Sequence, residues 1–93
     1  MRAGVRTKSG PVTVIRLATD LDHPRMGIVS GRRLGNAVTR NRVKRRIRAA
    51  AAEANLDPGY DYVIVPTPAA VTASFEVLVA AIEHAARPKG RHT

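Results

Sequence analysis

"GNAVTRNRVKRRIRAAAAEA", residues 35–54, places six Lys or Arg residues in the nine positions 40–48 and reaches its first acid only at Glu53. At 100° per residue, Val43, Ile47, Ala50 and Ala54 fall on one stripe; Asn41, Arg45 and Arg48 lie opposite it, with Lys44 and Arg46 flanking that outer face. The spacing predicts one long helix whose narrow, alanine-rich side can lie close against a sheet. The remaining circumference is unfavourable in isolation. Arg42 with Arg46, and Lys44 with Arg48, are like-charge pairs at i, i+4, each costing roughly 0.2–0.5 kcal/mol. Cations in the N-terminal half also oppose the helix dipole, by about 0.3–1 kcal/mol each at low salt. Phosphates from a partner would supply the missing negative charge.

Strands are expected on either side of this helix. "PVTVIRLA" (11–18) and "RMGIVSG" (25–31) are short β-branched or apolar runs, and "TDLDHP" (19–24) between them reads as a surface turn joining an antiparallel pair. After the stop "NLDPGYD", the run "YVIVP" predicts a third buried strand, ended by Pro66 and Pro68. Phe75, Leu78, Val79 and Ile82 follow helical spacing, which puts Phe75 in the core, and Ser74 can cap that last helix. The basic residues 88–93 read as a frayed tail on a single domain, 1–93. Alternation along "VTVIRL" separates Thr13, Ile15 and Leu17 from Val12, Val14 and Arg16.

Sixteen Lys plus Arg against seven Asp plus Glu give a formal net charge of +9. Nine of those cations, and no acid, lie between His23 and Ala52, whereas residues 53–83 hold five acids and no Lys or Arg. One pole is therefore basic, and the partner is a polyanion, either nucleic acid or an anionic membrane. The absence of cysteine excludes disulfides and thiolate metal sites, and no apolar run approaches the roughly 18–20 residues of a membrane span. A reducing, cytoplasmic setting is expected. His23, His84 and His92 are scattered over a turn, a helix end and a tail, and no Ser, His and Asp constellation, paired carboxylate or clustered ligand set stands out, so neither catalytic residues nor a metal site are expected in the protein.

The turn before the helix points the same way. In "SGRRLGNA", Gly31 and Gly35 permit close backbone approach, Arg32 and Arg33 supply charge, and Asn36 can cap a helix whose free N–H groups favour an anion. A basic leucine zipper would need apolar heptads after the basic run, where "AAAAEANLDPGY" ends the helix. A helix-turn-helix would need a second helix where strands are expected. A ribosomal or other structural RNA-binding protein satisfies the same composition.

At these residues the chain resembles the bacterial ribonuclease P protein component. That family's signature is a basic turn followed by G-x-A-V-x-R-N-R-x-K-R-x-x-R, and it falls here on Gly35, Ala37, Val38, Arg40, Asn41, Arg42, Lys44, Arg45 and Arg48. "RMGIVSG" before it and "DYVIVP" after it extend the likeness. The resemblance implies an α+β fold: a small α/β sandwich with a three- to four-stranded mixed sheet, ribosomal protein S5 domain 2-like, and a left-handed βαβ crossover through the basic helix. Crossovers are otherwise right-handed in about 98% of cases.

The resemblance further implies the protein subunit of an endoribonuclease that removes the 5′ leader of precursor tRNA. Its partners would be a catalytic RNA and the precursor tRNA, with no DNA or membrane role, and its Mg²⁺ would be held largely by RNA. Carried over from the family, Arg40, Arg42, Lys44, Arg45 and Arg48 would meet phosphates, Asn41 would add a directional hydrogen bond, and Arg32 and Arg33 sit in the basic turn; Arg46 on the same basic helix and Asn36 at its cap, read from the residues themselves, complete the expected RNA-binding set. Thr13, Ile15 and Leu17 are candidates for the leader cleft. The basic, Phe-containing N-terminal helix usual in the family has no counterpart in "MRAGVRTKSG", so the expected cleft lacks one wall; truncation, a late start and a lineage without the helix all remain open. Tyr60, Tyr62 and Phe75 are the only aromatics available for base stacking.

Overall fold

The computed structural model describes residues 4–19 and 25–86. The sheet begins earlier than the sequence suggests. β1 (Val5–Ser9) and β2 (Val12–Ala18) form an antiparallel hairpin in which Ser9 faces Val12. The two-residue turn has Gly10 at φ 55° followed by Pro11, whose ring holds φ negative, an order that suits a primed hairpin turn. The polar pattern "VRTKS" is that of an edge strand, where Arg6 and Lys8 discourage further pairing.

β3 (Arg25–Ile28) and β4 (Tyr60–Pro66) complete a four-stranded mixed sheet in the order β1-β2-β4-β3. β4 pairs antiparallel with β2 and parallel with β3. The expected direct pairing of 11–18 with 25–31 is thus corrected: β4 lies between them. Seven residues with alternating Tyr62, Ile64 and Pro66 buried suit β4 to an interior position beside β2, whereas β3 is only four residues long and contains Gly27. Pairing ends at Ile28, after which the Val29 N–H donates to the Ile64 carbonyl at 3.0 Å. The turn expected at 19–24 falls, beyond Thr19, outside the described residues, as does the expected tail at 88–93.

α1 (Ala37–Ala54) links the parallel strands β3 and β4. Asn36 caps it, its Oδ1 accepting the Thr39 N–H at 3.0 Å, and Asn55 closes it in the left-handed conformation at φ 56°. A short 3-10 turn, Pro68–Val71, leads to α2 (Phe75–Ala86), where Ser74 Oγ accepts the Val77 N–H at 3.1 Å. Both helices cover one sheet face, that of Val12, Val14, Tyr62 and Ile64, and pack on each other through Val43, Ile47, Ala50, Leu78, Ile82 and Ala85. Alanines on both helices permit this close approach. Phe75 does not join the core: it is 37% exposed, because the buried stripe of α2 runs through Leu78, Ala81, Ile82 and Ala85, and Phe75 precedes it at the helix start.

Arg16 lies on the helix-covered face and is only 8% exposed. Its Nη1 donates to the Ala86 carbonyl at 3.4 Å, and its guanidinium sits 5.1 Å from the centre of the Tyr60 ring. A cation there complements the negative end of α2. Tyr62 is fully buried, and its hydroxyl accepts the Asp57 N–H at 3.2 Å. Burial pushes its phenol above the ordinary tyrosine range.

Candidate nucleic-acid interface

The entry to α1 is built by a buried anchor and a glycine. Arg32–Leu34 forms a 3-10 turn in which Leu34 is buried and Arg32 and Arg33 are exposed, so the turn is pinned by its apolar member while both guanidinium groups face outward. Gly35 follows at φ 113°, a backbone region disfavoured for every other residue. The Arg40 guanidinium reaches back and donates to the Gly35 carbonyl at 2.8 Å, tying turn to helix.

Along α1 the predicted site residues divide into two groups. Asn41, Arg42, Arg45 and Arg48 are exposed and have no intramolecular polar partner among the described residues. Arg40, Lys44 and Arg46 are half-buried. Arg46 is turned inward against the start of α2, where its Nη2 donates to the Ala73 carbonyl at 2.6 Å. The helical wheel placed Arg46 beside the outer face but could not show this destination, because the acceptor is a backbone carbonyl 27 residues away.

The opposite sheet face is left open by both helices. Strand register places Ile15 beside Val63, Thr13 beside Val65 and Leu17 beside Asp61, with Arg6 and Lys8 from β1 on one side and Arg25 and Gly27 from β3 on the other. The candidate cleft residues Thr13, Ile15 and Leu17 therefore share one face, with Thr13 buried and the other two half-buried. Gly4 lies directly on it: a Cβ there would fall 2.9 Å from Ile15 Cγ2 and 3.1 Å from the Arg16 carbonyl. Arg6 and Lys8 escaped the sequence reading, although the alternation of "VRTKS" ahead of a Gly-Pro turn was a usable signal.

Arg25 and Asp61 form the one ion pair among the described residues, a two-pronged contact with Nε to Oδ1 at 3.0 Å and Nη2 to Oδ2 at 2.6 Å. The hydrogen bond from Arg25 holds the Asp61 carboxyl below the usual carboxylate range. The sole acid aligned with this face by strand register is thereby neutralised. No three metal-ligating side chains come together among the described residues, and the Asp61 carboxylate is held by Arg25. His84 is exposed on α2, while His23 and His92 lie outside the described residues. No helix among the described residues is long and apolar enough to cross a membrane.

The family model for Ribonuclease P matches residues 1–89. The chain belongs to this family. Among curated relatives, the ribonuclease P protein component of Bartonella quintana is 39% identical over 71 residues, covering 73% of this chain and 53% of the relative. That of Micrococcus luteus is 41% identical over 92 residues, covering 83% and 66%. The chain thus spans about half to two thirds of the length of the curated relatives it matches. The solved RNase P protein of Staphylococcus aureus superposes with a TM-score of 0.74 at 26% identity, covering 88% of this chain and 77% of that one. The RNase P protein of Thermotoga maritima gives a TM-score of 0.79 at 24% identity, covering 89% and 83%, a likeness of fold. A four-stranded mixed sheet with two helices on one face is therefore the fold of this family member, as the sequence resemblance implied.

Proposed function

We propose that the chain serves as the protein subunit of ribonuclease P, binding a catalytic RNA and precursor tRNA to assist endonucleolytic removal of the 5′ leader. The observation that carries this reading is the outward row of Asn41, Arg42, Arg45 and Arg48 on α1, continued by Arg32 and Arg33, in a chain that belongs to the Ribonuclease P family. These guanidinium groups have no intramolecular anion to satisfy them among the described residues. Phosphate oxygens match their planar donor geometry. Chemistry at the scissile bond falls to the RNA, with Mg²⁺ held there; the protein contributes charge neutralisation, which lowers the metal concentration needed for RNA folding and substrate binding.

The open sheet face serves in this reading as the leader surface. Ile15, Leu17, Val63 and Val65 offer apolar area to bases, and Arg6 and Lys8 offer charge to the strand's backbone, a combination suited to single strands. A cytoplasmic setting accords with such a role. The test is cleavage of precursor tRNA by the catalytic RNA at near-physiological Mg²⁺, with and without the protein. Promotion by protein that cleaves nothing alone is expected; cleavage by nuclease-free protein alone, abolished by replacing His84, overturns the assignment.

A further inference from the structure

The outward row of α1 does not begin with a cation. Val38, Asn41, Arg42, Arg45 and Arg48 follow one another at helical spacing along a single exposed face, and Val38 heads them, one turn before Arg42. It is 75% exposed, above Val5, Val29, Phe75 and Val77, the other exposed large apolar side chains among the described residues. No buried contact accounts for it, since the core stripe of α1 begins at Val43. Local propensity does not favour it either, because a β-branched residue is stiffer in a helix than Ala, Lys or Arg. On a face that otherwise offers guanidinium and amide groups, the Val38 side chain carries neither charge nor a hydrogen-bond donor.

We propose that Val38 is an apolar contact residue of the RNA interface. Its two methyl groups pack on the ribose or base of a nucleotide whose neighbouring phosphates lie on Arg42 and Arg45. The first turn of α1 is suited to such a contact: the Asn36 cap and the Arg40 to Gly35 hydrogen bond fix its backbone, so little order has to be gained on binding. The contact adds a component of affinity that salt does not screen, beside the cations whose contribution salt removes.

This inference rests on the RNA-binding reading above, and one experiment separates the two. Binding of the full chain to the catalytic RNA is measured across a salt series for wild type, Val38→Ala, Val38→Thr, Val38→Ile and the double variant Arg45→Ala/Arg48→Ala, with a thermal melt of each. Val38→Ala and the nearly isosteric Val38→Thr are expected to weaken binding by about three- to twentyfold at every salt concentration, leaving the salt slope and melting temperature unchanged. Val38→Ile is expected to bind as wild type. Affinities of the Ala and Thr variants within about twofold of wild type, with a flattened slope in the double arginine variant, would overturn the role of Val38 while leaving the RNA-binding reading intact. Loss of affinity with a lowered melting temperature would assign Val38 to folding. Wild-type binding without salt dependence would remove the underlying reading itself.

Discussion

Arg45 and Arg46 are adjacent and equally charged, yet the fold uses them differently. Arg45 projects from the helix, while Arg46 spans to the Ala73 carbonyl and ties α1 to the start of α2. Removing a charged donor from such a part-buried bond costs on the order of 1–2 kcal/mol. Arg46→Ala should therefore lower the melting temperature, and Arg45→Ala should leave stability within about 0.5 kcal/mol; paired denaturant titrations check this. A second residue-scale expectation concerns Asp61. Its folded pKa lies below the ordinary value of 3.8, held there by Arg25, so its contribution to stability is present above that value and is lost as pH falls through the lower folded one. The stability difference between wild type and Asp61→Asn should be constant from neutrality down to about pH 4 and shrink below it. Melts from pH 2 to 7 would show a pH-independent difference if the pair contributes nothing, as exposed pairs sometimes do.

The elements of this protein differ in how openly the sequence declares them. α1 was legible almost residue by residue, because Asn36, the 3.6-residue repeat of Val43, Ile47, Ala50 and Ala54, and the stop after Ala54 all agree. β1 was not, since an edge strand of alternating Arg, Thr and Lys carries little hydrophobic signal and only its turn betrays it. Strand order was hidden for another reason: β4 separates β2 from β3, a choice made by tertiary burial and not by chain proximity. From the sequence the candidate site is legible as a basic helix and turn, but which of its cations are bound internally depends on carbonyls at Gly35 and Ala73 that no local pattern reveals. The entry turn offers an element-scale test. Gly35 at φ 113° should tolerate no side chain, so Gly35→Ala is expected to destabilise the fold by roughly 1–3 kcal/mol and to weaken RNA binding by misplacing Arg32 and Arg33. Gly31 has an ordinary φ of −109° and open space around it, so Gly31→Ala should be nearly neutral in both assays. Equal effects of the two substitutions would show that the turn is not held by the backbone conformation at Gly35.

At the scale of the whole molecule, the charge is sorted along the chain and then separated by the fold. Glu53, Asp57 and Glu83 lie toward the C-terminal ends of α1 and α2, while Arg32, Arg33, Arg42, Arg45 and Arg48 present five outward cations on the entry turn and the middle of α1. Such a dipolar molecule approaches a polyanion in one orientation, and its affinity follows the counterions it displaces. With about 0.7–0.9 counterions released per phosphate contact, five contacts predict a slope of log K against log salt of about −3.5 to −4.5. Arg40 and Arg46 are counted outside this set because the Gly35 and Ala73 carbonyls already hold them. Arg45→Ala/Arg48→Ala should flatten the slope by up to about 2 with the melting temperature preserved, since both side chains are exposed. Arg40→Ala/Arg46→Ala should do the reverse, lowering the melting temperature with a smaller change in slope. Titrations from about 50 to 400 mM salt, paired with melts of the four single and two double variants, distinguish the two groups. If both double variants flatten the slope equally and melt alike, the division of the basic helix into outward and inward cations fails, and the whole helix acts as an undifferentiated charge.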